Sequence, residues 1–219
     1  MPLLAGGVVS LVLLRGFFDF EWMAPALAGW CLITQAWHIV DYERGAAKPA
    51  TDFTITLAGI VFLGWIGAYL VSLRLMANGL WWLLLTLPTI WTADAGAYIV
   101  GHAIGRRKLA PRVSPQKTWE GYLAGGMIGT IGGAGLALLW RIGAGPDSGL
   151  TALNGLILGA AISFVAPIGD LGISMLKREM HVKDTSGLIP GHGGAMDRMD
   201  SWLWAGVIAY YMINHLLVG

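Results

Sequence analysis

Asp170, Ser174, Lys177 and His181 follow one another at spacings of four, three and four residues, so a helix would carry them all along one face. That face passes from carboxylate to hydroxyl to ammonium as the chain leaves an apolar run, an order suited to holding metal and phosphate. Downstream, Lys183, Asp184, Ser186, Pro190, Gly191, His192, Gly193 and Gly194 lead into Asp197, Arg198 and Asp200. Asp197 and Asp200 stand three apart, so on a helix their oxygens would point the same way, toward a hard cation such as Mg²⁺. The glycines beside His192 permit positive φ and close backbone approach to a bulky anion. A solvated loop with an aspartate capping the final helix would account for any one of these residues, and much less readily for the whole set.

Two further positions exceed what anchoring and packing require. Asp94 sits late in an apolar run, where a carboxylate costs several kcal/mol unless a cation or donor meets it. Pairing within a helical bundle and service as a site carboxylate are both open to it. The second segment reads Arg106, Arg107, Lys108, then Ser114, Pro115, Gln116, Lys117, Thr118, Trp119, Glu120. Ser114 before proline fits a turn or cap, and Trp119 an interface anchor. Lys117 beside that anchor is a better phosphate ligand than the basic triplet, which suits topology or anionic headgroups. Carboxylates with Lys and Arg beside apolar helices suit a reaction between a lipid and a polyphosphate. Mg²⁺ would neutralise the phosphates there while the cations hold spectator oxygens. These residues do not identify the nucleotide.

The elements that position them are written in the composition. Of 219 residues, 56% are hydrophobic and 12% charged, against about 25% charged in a soluble domain. Uncharged runs extend over 22–40, 53–73, 75–93, 121–140, 148–169 and 201–219, each near the roughly 20 residues that carry a helix across hydrocarbon. Runs of this length fit helices rather than the alternating strands of a barrel. With a weaker span before Phe20, the expectation is an all-α polytopic bundle of about seven spans. Residues 1–90 would form N-terminal membrane helices, and 91–219 a catalytic membrane domain with motif loops at 101–120 and 177–200.

Alternate loops contain Arg44 and Lys48, then Arg106, Arg107, Lys108, Arg112 and Lys117, then Lys177, Arg178, Lys183 and Arg198, together eleven of the 14 basic residues. The positive-inside rule puts these loops in the cytoplasm, with the N-terminus inside and the C-terminus outside. The motif residues therefore gather on the cytoplasmic face of an inner membrane. The 32 glycines, many of them in the spans, let helix backbones approach closely. A net charge of +1 says little about partners, and the single cysteine, Cys31, excludes an internal disulfide and a cysteine-based metal cluster.

The run Ser174, Lys177, Arg178, Lys183, Asp184, Pro190, His192, Gly193, Gly194, Asp197, Arg198, Asp200 resembles the phosphatidate cytidylyltransferase family, also called CDP-diacylglycerol synthases. Asp94 to Tyr98 and Ser114 to Gly121 look like that family's upstream block, so the resemblance covers about Trp91 to the C-terminus. It implies Mg²⁺-dependent transfer of a cytidylyl group from CTP to phosphatidate, with release of diphosphate. It also implies a paired-metal centre in which a second cation, such as K⁺, assists. Carried onto this chain, it makes Asp170 and Asp197 the principal metal ligands, with Asp200, Asp184 and Asp94 in support. Ser174, Lys177, Arg178, Lys183 and Arg198 would then hold phosphates, and His192 would shape the loop. A homodimer among membrane lipids is implied, and nucleic acid is not a partner.

Two positions depart from the family pattern: Ala195 stands where a larger aliphatic residue is usual, and Gln116 where a second lysine is common. The chain is also short for the family, at its N-terminal side. Two other readings remain at this stage. One is a CTP-dependent cytidylyltransferase or kinase acting on another lipid phosphate or polyprenol. The other is an ion-coupled transporter, which would spread polar residues over several spans and often repeat its halves, whereas here they gather on one side.

Overall fold

A computed structural model of the chain describes residues 2–182 and 196–217, with the backbone alone for Asp197 and Arg198. It forms two compact units, Met1–Leu75 and Met76–Gly219.

The first unit comprises α1 (Pro2–Phe17), α2 (Met23–Glu43), α3 (Pro49–Gly59) and α4 (Ala68–Leu75), the last two joined through the wider helical turns Ile60–Ile66. Proline at the start of α3 forfeits only an amide that helix geometry leaves unpaired there. Leu11, Met23, Ile60 and Ala68 are fully buried, with Trp30 and Trp65 packed against them. Arg15, a cation among apolar helices, donates from Nε to Ser72 Oγ at 2.6 Å and lies 5.7 Å from the centre of the Phe20 ring.

The second unit holds the motif residues. Its elements are α5 (Gly79–Ile104), the strands β1 (Lys108–Ala110) and β2 (Ser114–Thr118), α6 (Trp119–Ala144), α7 (Ala152–Val165), α8 (Pro167–Glu179) and α9 (Met196–Met212). Thr118 and Thr151 cap α6 and α7, accepting from the amides of Gly121 at 3.2 Å and Asn154 at 3.1 Å. Glycine sets the helix spacing. A Cβ on Gly121 would lie 2.6 Å from the Ala97 carbonyl, and one on Gly125 2.6 Å from that of Ala93, so this stripe of α6 lies directly on the backbone of α5. On its other side α6 meets α7, where a Cβ on Gly133 would lie 2.6 Å from the Gly155 carbonyl and 2.9 Å from Gly159 Cα.

Among the described residues, four helical stretches are long and apolar enough to cross a membrane: Pro49–Leu75, Gly79–Ile104, Trp119–Ala144 and Pro146–Glu179. The chain is therefore a helical, polytopic membrane protein. The runs at 22–40 and 201–219 overlap helices α2 and α9, which are not among these four.

The helical fold carries one short hairpin, in which β1 and β2 pair antiparallel, Lys108 facing Thr118 and Ala110 facing Ser114. Three local expectations need correction. The apolar run 75–93 does not bound its helix, since α5 continues through Asp94 to Ile104 and the loop expected from 101 begins at Gly105. The run 148–169 is not one helix either. It breaks at Ala166, and Pro167 opens α8, so Asp170 sits in the first turn of a new helix. Finally, His181 lies beyond the end of α8 with φ of 56°, off the face shared by Asp170 and Ser174.

Candidate active site

A cleft of about 700 Å³ opens between α5, the β-hairpin, α6 and the α7–α8 junction. Its charged wall is made by two segments far apart in sequence. Lys117, near the end of β2, forms an ion pair through Nζ with Oδ2 of Asp170, in the first turn of α8, and both side chains are about one third exposed. Ser174, one turn on, donates from Oγ to Asp170 Oδ1 at 3.3 Å, which realises the shared helical face read from the spacing.

Asp94 lines the same cleft, within electrostatic reach of both Lys117 and Asp170. Asp200 approaches from α9. A Cβ on Gly169 would lie 2.5 Å from the Asp200 carbonyl, so absence of a side chain there lets α8 seat on the first turn of α9. The Asp200 side chain is only 8% exposed, and Oδ1 accepts the Ser201 amide at 2.6 Å. It stands just ahead of the apolar run, outside the membrane-length stretches. There burial pushes its carboxyl up to about 6, opposed by the Ser201 amide and reinforced by the charge of Asp170. Asp197 lies three residues earlier in that turn of α9.

The hairpin is tied down at both ends. The Glu120 carboxylate, in the first turn of α6, accepts the amides of Arg106 at 3.1 Å and Arg107 at 3.2 Å. At the turn, the Val113 carbonyl accepts from Arg178 Nε at 3.2 Å. This holds β2, and with it Lys117, against α8.

Of the residues expected in the site, Asp94, Ser114, Lys117 and Asp170 line the cleft, Ser174 joins through Asp170, and Asp200 is brought beside them by the α8–α9 packing. Arg178 reaches the hairpin turn and Lys177 is half-buried on α8. Lys183, Asp184, His192, Gly193 and Gly194 lie outside the described residues, as do the side chains of Asp197 and Arg198. Among the described residues, no three His, Cys, Asp or Glu side chains converge closely enough to hold a metal by themselves. The oxygen donors of Asp170, Ser174 and Asp200 are nevertheless of the kind a hard cation takes.

Sequence reasoning missed three contributors. Tyr98 and His102 line the cleft at four-residue steps from Asp94, a spacing that extending α5 beyond residue 93 would have revealed. Glu120 was read only as part of a motif, and its place in the first turn of a capped helix was the available sign.

Membrane-length helices enclosing a charged, partly buried cleft define the class: a polytopic membrane protein with a polar site lodged in its helical bundle. The chain belongs to the cytidylyltransferase family, whose model it matches over residues 1–216. It is 46% identical over 203 residues to a phosphatidate cytidylyltransferase of Pseudomonas aeruginosa, covering 92% of this chain and 66% of that protein. A Synechocystis phosphatidate cytidylyltransferase is 37% identical over 204 residues, with 78% and 66% covered. One of Bacillus subtilis is 36% identical over 160 residues, with 73% and 57% covered. The chain thus spans about two thirds of the length of the first two relatives, and less of the third. The resemblance read from the motif residues is upheld at the level of the family.

Proposed function

We propose that the chain transfers the cytidylyl group of CTP to phosphatidate, giving CDP-diacylglycerol and diphosphate. The observation that carries this reading is the meeting of Lys117 and Asp170, from two separate motif segments, on the wall of a cleft lodged among apolar helices. Family membership and the activity named for the relatives support it.

In this reading a phosphate oxygen of phosphatidate forms a bond to the α-phosphorus of CTP as the bond to the diphosphate oxygen breaks. Phosphatidate is already ionised at neutral pH, so no strong general base is required. Lys117 would hold phosphate oxygens once released from Asp170, and Lys177, Arg178, Lys183 and Arg198 would hold others, assisted by Ser114 and Ser174. The backbone at His192, Gly193 and Gly194 would close on the triphosphate. Asp170, Asp197 and Asp200, supported by Asp94 and Asp184, would hold Mg²⁺, with K⁺ as a second cation. When bound, the metal would neutralise charge on the phosphates. Purified protein given CTP and Mg²⁺, with phosphatidate and an isoprenyl phosphate offered separately, is expected to make CDP-diacylglycerol and nothing from the isoprenoid. Folded protein that makes no CDP-diacylglycerol would count against the reading.

The same reading has about seven spans in an inner membrane and the site on the cytoplasmic face, in a chain that works as a homodimer. Support for the orientation comes from the crowding of basic residues at 106–117 and 177–198. Single cysteines introduced at Arg112 and Glu179, in a background with Cys31 replaced, should both react with an impermeant thiol reagent only from the cytoplasmic side. Labelling of the two from opposite sides would sink this topology.

A further inference from the structure

We propose that Tyr98 and His102 form the wall on which the pyrimidine base of the nucleotide stacks. This inference rests on the cytidylyl-transfer reading and assigns one end of the substrate. Asp94, Tyr98 and His102 succeed one another at four-residue steps on α5, and all three line the cleft. The rings of Tyr98 and His102 are nearly parallel and stacked, with an interplanar angle of 12° and centroids 6.0 Å apart, so a base could continue the stack on the ring face left open. Tyr98 is 73% exposed. An aromatic face left open in a cleft that also holds charged groups is a stacking platform, since every base offers a π-face to it.

Asp94, Lys117 and Asp170 line the same cleft as the two rings, so the ion pair that would meet the phosphates and the aromatic wall can serve one ligand. Tyr98 and His102 stand one and two turns further along α5, roughly 6 and 12 Å by helical rise. The reach from a nucleotide's phosphates to its base is of that order. Gly101, between the two rings in sequence, faces α6, where a Cβ would lie 3.0 Å from Thr118 Oγ1 and 3.3 Å from Gly121 Cα. The helix is thereby held against the neighbour that carries the capped end of the hairpin, and the aromatic column is fixed relative to Lys117.

The test is binding of CTP and of inorganic tripolyphosphate, by calorimetry with Mg²⁺, to the full chain in detergent and to its Tyr98→Leu, Tyr98→Phe and His102→Leu variants. Tyr98→Leu should weaken CTP on the order of tenfold, Tyr98→Phe should restore it, and tripolyphosphate should bind all four proteins alike. His102→Leu should weaken CTP in the same sense and serves where Tyr98→Leu fails to fold, as judged by thermal melting. CTP binding unchanged in the folded leucine variants would overturn the proposal. So would equal weakening of CTP and tripolyphosphate, or an unaltered CTP affinity accompanied by a raised KM for phosphatidate, which would make Tyr98 a lipid contact. Transfer activity of the parent is measured separately. Base-dependent binding without transfer would fault the reaction and leave the stacking wall standing.

Discussion

Asp170→Asn is expected to lower Mg²⁺-dependent turnover by roughly 10²-fold or more, the loss typical when a key electrostatic group leaves an active site, while the protein remains folded in detergent. The amide keeps the size and most of the hydrogen bonding of the carboxylate. It removes the charge that faces Lys117 in this structure and that would face a cation during turnover. A carboxylate in this position has two explanations. As a purely structural partner of Lys117, its replacement would cost stability and leave turnover nearly normal, and Lys117→Met combined with it would recover part of that stability. As a metal ligand, its replacement would abolish turnover whichever residue stands at 117. Thermal melting and turnover of the two single variants and the double variant separate these cases. Asp197→Asn should behave as Asp170→Asn does, since α9 begins beside α8 at Gly169.

The largest expected effect on stability comes from Gly133→Val. Two backbone atoms of α7, the Gly155 carbonyl oxygen at 2.6 Å and Gly159 Cα at 2.9 Å, stand where the new Cβ would lie. Neither is the end of a flexible side chain, so relief requires the helices to separate. Overpacking of this kind costs about 1–3 kcal/mol and occasionally more. Gly135→Val is the control, because a Cβ there meets nothing within 4 Å. A clear drop in melting temperature for the first variant and little change for the second is the expected pair of results. Equal melting temperatures would show that the α6–α7 contact is looser than the structure has it.

Much of the architecture was legible because lipid removes alternatives: a long uncharged run in this composition has to be helical. Helix ends were less legible. The run from 75 stops at Asp94 because charge stops it, whereas the backbone hydrogen bonds that define α5 are indifferent to that charge and continue to Ile104. The break before α8 did have a sign, Pro167, which cannot supply the amide an unbroken helix would need. The hairpin had none of useful strength, since strands of three and five residues are too short for a period to register. Within the site, Asp170 and Ser174 were readable from local spacing. The joining of Asp170 to Lys117, 53 residues away, was not, because it depends on how α6, α7 and the hairpin pack.

That Lys117 and Asp170 already satisfy one another gives the resting cleft a particular selectivity. An arriving anion must draw the ammonium away from its carboxylate, and a bare anion that does so strands a negative charge in a partly buried place. A guest that brings its own cation leaves neither partner deserted. Entry is therefore a trade of partners, and an anion that arrives with its counterion leaves both side chains matched.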